Sequence, residues 1–243
     1  SEDAVAPIGR VRVVQADFCI DGTDVGPYPT DSLYDAEAGG GSAWCVMPYV
    51  VAAATMPFDS EPERIAANGI VPSDDGVGDV AMGMTMTFKN TNVGSKIAAT
   101  ATNGLPGDKS IASGVCGYIA ESSENTTYAA RGGRITIDAP AHCPTSATII
   151  RKSHGRGNGA TSEKAHGSGG ANATTVHFPL PAPTPEIENS GGIKLPNSMG
   201  FVYEAEAVRR LIAAGQICFP QWTPEESVGC IRTIEEMLRQ INQ

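Results

Sequence analysis

The feature that most constrains the fold is a series of short strand-like segments, each bounded by Gly, Pro, Asn or Asp. In residues 80–88, Val, Met or Phe occupies every second position, and mostly small residues lie between them. An alternation of period two indicates a strand with one buried face. Because turns follow one another at short intervals, the spacing is typical of an antiparallel sheet rather than of strand–helix–strand units. The predicted strands are residues 10–18, 61–71, 80–88, 94–102, 112–121, 133–140 and 146–152.

Three segments have helical character. Residues 42–56 are mostly small and apolar, although Pro48 would bend this helix or mark a later start. Residues 199–214 form the second predicted helix. The third begins at Thr223, where Thr-Pro-Glu-Glu predicts an N-cap, a proline in the first turn and a capping box. Its expected core stripe is Val228, Ile231, Ile234, Leu238 and Ile241.

The organisation of these elements predicts one domain. No internal repeat and no shift in composition divides residues 1–243. We therefore expect an α+β fold, an open and mostly antiparallel sheet with helices packed on one face. Residues 153–172 are rich in glycine and almost free of apolar side chains, which predicts a flexible loop.

The charge balance excludes one class of partner. The chain has 27 acidic and 17 basic residues, a net charge of −10, which disfavours nucleic acid. The longest apolar stretch, residues 43–58, is interrupted by Pro48 and Pro57 and is too short to span a bilayer. Because no basic, apolar leader opens the sequence, we expect a soluble, cytoplasmic protein without membrane contact. Sequons at Asn125 and Asn172 leave a secretory route open.

Neither a metal nor a cofactor motif is visible. None of the six cysteines forms a CxxC pair, so free and mostly buried thiols are expected. His154 and His166 lie in the glycine-rich loop and His177 on a strand-like segment, which favours solvated or structural roles and no metal site. No glycine-rich phosphate-binding turn follows a strand, so we expect no bound cofactor.

Several segments, taken in order, resemble the C-terminal domain of the Gfo/Idh/MocA oxidoreductases. The likeness is greatest to the branch that contains trans-1,2-dihydrobenzene-1,2-diol dehydrogenase and NADP-dependent xylose dehydrogenase. The resemblance implies an open, mostly antiparallel sheet with helices on one face, and a homodimer formed through the other face. The segments are IGRVRVVQADF (8–18), YDAEAGGGSAWCVMPYV (34–50), GRITIDAPAHCPTSATI (133–149), FPLP (178–181) and NSMGFVYEAEAVRRLIAAGQ (197–216).

The resemblance also implies site residues and two departures from the family. Enzymes of this family bind a nicotinamide cofactor on an N-terminal Rossmann domain, and this sequence starts where that domain would end. After the three glycines the family carries a substrate-facing Asp and, four residues later, a Tyr or His. Cys45 and Tyr49 stand at these positions, on one face of the expected helix.

Further pocket positions follow from the same resemblance. His142 stands where related enzymes have a pocket aromatic, and Phe18 and Leu195 match substrate-lining positions. Trp44, on the helix that carries Cys45, is also expected to contact substrate.

The two departures favour an enzyme that works without a cofactor. On this hypothesis Tyr49 is a hydrogen-bond donor or acid, His142 a general base, and Cys45 a pocket residue or nucleophile. The reaction would be a proton transfer, such as cyclisation, isomerisation or dehydration of a small, largely apolar metabolite. Two alternatives stay open: the substrate and dimerisation part of an NAD(P)-dependent dehydrogenase whose Rossmann part is missing, and a non-catalytic binding protein.

Overall fold

An eight-stranded sheet forms the centre of the protein. The computed structural model describes residues 8–58, 60–89, 109–151, 173–191 and 197–243. Neighbouring strands are antiparallel, except that β1 and β4 are parallel, and their order is β2-β3-β4-β1-β5-β6-β7-β8. The predicted open, mostly antiparallel sheet is confirmed. The strands are β1 (Val11–Cys19), β2 (Arg64–Ile70), β3 (Ala81–Lys89), β4 (Lys109–Gly117), β5 (Thr126–Ala130), β6 (Gly133–Ile137), β7 (Ser146–Arg151) and β8 (Ala173–His177).

Some predicted segments fall outside this description. The strand predicted at residues 94–102 and the flexible loop predicted at residues 153–172 lie outside the described residues, as do His154, His166 and Leu195.

Helices cover one face of the sheet. Those that enclose the core are α1 (Ser42–Cys45), α2 (Met47–Thr55) and α5 (Pro224–Ile241). Two more are α3 (Pro185–Asn189) and α4 (Phe201–Ala213), neither of which has a buried residue. The predicted effect of Pro48 is confirmed, since α1 ends at Cys45 and α2 restarts with this proline in its first turn.

The core lies between this face and the helices. Met82, Met84, Met86 and Phe88 alternate along β3 toward the helices and are buried. Burial of such a side chain contributes about 1.5–3 kcal/mol, so this strand is a major source of stability. The alternation in the sequence therefore identifies the inner face of the sheet.

Helix α5 begins as predicted, and three of the five predicted core positions, Ile234, Leu238 and Ile241, pack against the core. The Thr223 side chain accepts from the backbone N–H of Glu226, and the Glu226 carboxylate accepts from the N–H of Thr223. The expected core positions Val228 and Ile231 are exposed. The prediction is wrong for these two residues because the helix is rotated so that Cys230 and Thr233 face the core in their place. The buried stripe is Cys230, Thr233, Ile234 and Met237.

Other expectations are settled only for the residues the structure describes. There, no helix combines the length and apolarity needed to cross a membrane. Within the same ranges, no three His, Cys, Asp or Glu side chains are grouped closely enough to hold a metal ion. All six cysteines are free, as expected, but Cys45 and Cys218 are exposed rather than buried.

Candidate functional site

A cavity of about 400 Å³ opens between the inner face of the sheet and helix α2. Its volume suits a small molecule. The wall is largely apolar and includes a few polar side chains, which is the usual construction of a small-molecule site. The apolar wall consists of Ala16, Phe18, Val50, Ala52, Ala53, Met56, Ile137, Ala141 and Pro144, and the polar lining of Asp17, Tyr49, Glu124, Thr126, Tyr128 and His142.

Three rings meet in this cavity. The imidazole of His142 stacks on the phenyl ring of Phe18, with ring centroids 4.8 Å apart and planes 2° from parallel. The Tyr49 ring meets Phe18 edge-on at 5.3 Å and His142 edge-on at 5.8 Å. The structure therefore places three of the sequence-predicted site residues together, and their catalytic or binding roles stay predictions.

Each ring is positioned by a different element. Phe18 follows Val14 and Ala16 on the inner side of β1, because side chains alternate along a strand. Tyr49 lies in the first turn of α2. His142 lies on the turn between β6 and β7, where the neighbouring Ala141 N–H donates to the Glu124 carbonyl at 2.9 Å. Contacts distant in sequence thus build the ring cluster.

The turn that carries His142 is held from a second side. The Asn197 side-chain amide donates to the Cys143 carbonyl at 2.9 Å, and the Cys143 thiol donates to the Asn197 carbonyl at 3.4 Å. Asn197 has a left-handed φ of 57° and directly precedes the 3₁₀ turn that leads into α4. The entrance to α4 is therefore tied to the cavity wall.

Two carboxylates were not identified from the sequence. Glu124 Oε2 lies 3.7 Å from His142 Nδ1. Asp17 Oδ2 accepts from the Glu124 backbone N–H at 2.7 Å. Burial, with the charges of Asp17 and Glu121, raises the pKa of Glu124, and burial lowers the pKa of His142. The one sequence signal for the loop that carries Glu124 is the run of polar residues from Glu121 to Asn125 before a strand.

Cys45 does not reach the cavity. The helix breaks after Cys45, and Val46 has a φ of −119°, so the four-residue spacing to Tyr49 no longer places both side chains on one face. The Cys45 thiol lies beside the hydroxyl of Tyr118 instead. Trp44 is exposed and also lies outside the cavity lining.

The glycine turn before α1 is occupied by an internal carboxylate. The Asp79 carboxylate accepts from the hydroxyl of Ser42 and, at 3.0 Å, from the backbone N–H of Ala43. Asp79 is only 4% exposed, and burial raises its pKa. Because an acidic side chain already holds these groups, the turn does not fit a phosphate. Among the described residues that line the cavity there is no Lys or Arg, so the cavity does not fit a dinucleotide either.

Comparison with known proteins agrees with the architecture. Residues 6–120 match the sequence model of the family described as GFO/IDH/MocA C-terminal domain. Trans-1,2-dihydrobenzene-1,2-diol dehydrogenase of Danio rerio is 26% identical over 235 residues, covering 96% of this chain and 54% of that protein. This chain therefore spans about half the length of the curated relative it matches.

Two solved structures share the fold. The aldose-aldose oxidoreductase of Caulobacter crescentus, in complex with glycerol, is 19% identical with a TM-score of 0.61, covering 97% of this chain and 55% of that one. A 3-ketoreductase of Actinomadura kijaniata, in complex with NADP and TDP-benzene, is 17% identical with a TM-score of 0.56, covering 97% and 54%. At these identities the likeness establishes the fold alone.

These findings correct the first functional hypothesis. The cofactor-independent cyclase, isomerase or dehydratase is wrong, because the matched family and the related proteins are oxidoreductases and one of them was solved with NADP. The error came from treating the two departures, the absence of a dinucleotide-binding motif and the cysteine at position 45, as the loss of redox chemistry. The alternative of a dehydrogenase part agrees better with the comparisons, and the resemblance drawn from the sequence is confirmed, since residues 6–120 match the model of the GFO/IDH/MocA C-terminal domain family.

Proposed function

We propose that this chain is the substrate-binding and dimer-forming part of an NAD(P)-dependent oxidoreductase that acts on a small alcohol or carbonyl compound. The observation that carries the proposal is the cavity walled by Phe18, Tyr49 and His142 in a domain of an oxidoreductase family. The names of the related proteins, a diol dehydrogenase, an aldose-aldose oxidoreductase and a 3-ketoreductase, support the same substrate class.

The side chains of the cavity have the chemistry that this reaction requires. The Tyr49 hydroxyl can donate a hydrogen bond to a carbonyl or alkoxide oxygen. The pKa of His142 is lowered by burial, so its imidazole is neutral near pH 7 and can accept a proton. The apolar wall holds the carbon skeleton of the substrate and restricts water.

The nicotinamide is assigned to a separate domain. Neither the glycine turn nor the cavity fits a dinucleotide, for the reasons given above, and the nicotinamide would supply the hydride acceptor or donor when bound elsewhere in the complete enzyme. This chain's residues bind the substrate, orient it and handle its hydroxyl proton.

We propose that the dinucleotide-binding domain covers helix α4. Phe201, Val208 and Ile212 are exposed along α4, and Ile217 just beyond it is fully exposed. An apolar surface of this kind beside the site is typical of a docking face. The hydrogen bonds between Asn197 and Cys143 link the start of α4 to the turn of His142, so a domain docked there would border the cavity.

We propose a second copy of this chain on the outer face of the sheet. Val13, Ile111 and Val115 are exposed on that face, and Thr87 and Gly83 of β3 lie beside Ile111 and Val115. The family resemblance implies dimerisation through this face. Met82, Met84 and Met86 take no part, because they point into the core.

The test is a chimera. The dinucleotide-binding half of the Danio rerio dehydrogenase is joined to this chain and supplied with NAD or NADP and a panel of small diols and aldoses. We expect formation of reduced nicotinamide with at least one substrate, and none from this chain alone. Tyr49→Phe should lower turnover at least about tenfold.

The control is Tyr28→Phe, the same change at an exposed tyrosine that bonds Asp74 outside the cavity. It should leave turnover unchanged. A folded, cofactor-binding chimera that oxidises none of the panel, or one in which Tyr49→Phe acts no more strongly than Tyr28→Phe, would contradict the proposal.

A further inference from the structure

Glu124 is fixed beside His142 by the backbone. Its N–H donates to Asp17 at 2.7 Å, and its carbonyl accepts from Ala141 at 2.9 Å. These two bonds join the loop of Glu124 both to strand β1 and to the turn that carries His142. The backbone of Glu124 has a positive φ of 46°, which an ordinary residue rarely adopts. Strained positions of this kind occur preferentially at functional sites.

The side chain faces the imidazole at ion-pair distance. Glu124 Oε2 is 3.7 Å from His142 Nδ1, and the two side chains are 19% and 27% exposed. The other titratable groups that line the cavity are Asp17 on β1, Tyr49 on α2 and Tyr128 on β5. Among the described residues none of these lining groups is a cation. Among these lining groups, the positive charge that can lie beside the Glu124 carboxylate is therefore that of a protonated His142.

The ring is held in its plane as well. Stacking on Phe18 fixes the plane of the imidazole, and the edge contact with Tyr49 limits its rotation. A neutral imidazole has one nitrogen that donates and one that accepts. With the carboxylate beside Nδ1, the favoured tautomer carries its proton there, and Nε2 becomes the accepting nitrogen.

We propose that Glu124 is a positioning residue that fixes the Nδ1–H tautomer of His142 and stabilises its imidazolium form. The role in the reaction rests on the proposed function. When an alcohol is oxidised to a carbonyl, the proton of its O–H group would pass to Nε2 of His142, and the hydride from its carbon would go to the nicotinamide of the proposed complete enzyme. Glu124 then neutralises the new positive charge on the ring.

The experiment follows the proton on His142 directly, in the 243-residue chain and without substrate. Nuclear magnetic resonance of the imidazole rings is recorded against pH, and His142→Asn assigns the signal among the four histidines. In Glu124→Gln we expect the proton affinity of His142 to fall about tenfold, because an opposite charge within about 4–6 Å has been lost. The ring nitrogen shifts should change from one tautomer to a mixture.

Two further variants make the result decisive. Glu121→Gln removes the same charge from a neighbouring exposed residue, and it should leave the His142 titration almost unchanged. Glu124→Asp keeps the negative charge but moves it farther from the imidazole, so the proton affinity of His142 should fall by less than in Glu124→Gln. This variant replaces Glu124→Gln in the experiment if the glutamine variant does not fold. An unchanged titration in folded Glu124→Gln, or an equal shift in Glu121→Gln, overturns the proposal.

Failure of the proposed function is distinguishable from failure of this inference. The titration needs neither substrate nor cofactor. An inactive chimera combined with an intact Glu124 effect would refute the oxidoreductase assignment alone, and an active chimera with no Glu124 effect would refute the positioning role alone.

Discussion

Replacing Gly200 by alanine tests how tightly the His142 turn is coupled to α4. A Cβ at Gly200 would lie 2.2 Å from the Cys143 sulfur, far inside van der Waals contact. The backbone at Gly200 is helical, with φ −59° and ψ −28°, so alanine by itself would gain up to about 1 kcal/mol. Overpacking costs about 1–3 kcal/mol and outweighs that gain. We expect the free energy of unfolding to fall by about 1–2 kcal/mol.

A double-mutant cycle isolates the contact. Denaturant unfolding is measured for Gly200→Ala, Cys143→Ala and the pair, and removal of the sulfur should cancel at least about 1 kcal/mol of the alanine penalty. Gly229→Ala, at a half-buried position of α5 where Glu61 is 3.7 Å from the new Cβ, is the control and should be neutral or stabilising. Additive effects of the two changes would refute the packing argument.

Two further predictions concern charge and assembly. Burial raises the pKa of Asp79 above its ordinary value of about 3.9, so the folded state binds the carboxyl proton more tightly than the unfolded state does. The free energy of unfolding therefore falls as the pH rises through the raised pKa. In Asp79→Asn, unfolding curves measured against pH should lack this loss, and a constant difference from the parent would contradict the assignment. If the proposed dimer forms through the outer sheet face, Val115→Asp should convert it to a monomer in light scattering, whereas Ile212→Asp on α4 should not. A parent protein that is already monomeric would exclude this dimer face.

The sequence identified elements whose signals are local. Strand β3 was predictable because its buried side chains alternate, and a strand with one covered face requires that pattern. The start of α5 was predictable because a Thr-Pro-Glu-Glu run satisfies the free N–H groups of a helix end. The rotation of α5 about its axis was not predictable, because Cys230 and Thr233 face the core although Val228 and Ile231 are larger and more apolar than Thr233.

No local pattern in the sequence predicts the order and pairing of the strands. Strands β1 and β4 are parallel neighbours although nearly a hundred residues separate Val14 from its partner Ala112. Such pairings depend on the packing of the entire sheet, which a single sequence does not display. Glu124 was missed for the same reason, since its significance comes from a contact with His142 across the two loops.

The glycine turn and the helix after it show how the site residues could be matched in position and still be misjudged in chemistry. The matched positions Cys45 and Tyr49 are four residues apart, but the break at Val46 directs only the tyrosine into the cavity. Asp79 comes from another part of the chain to cap the start of α1, so this acid serves the backbone of the turn. The acidic side chain beside the imidazole of the cavity is Glu124, 3.7 Å from His142. The cysteine at position 45 therefore does not leave the cavity without an acidic side chain, because the fold brings Glu124 to His142 from a different loop.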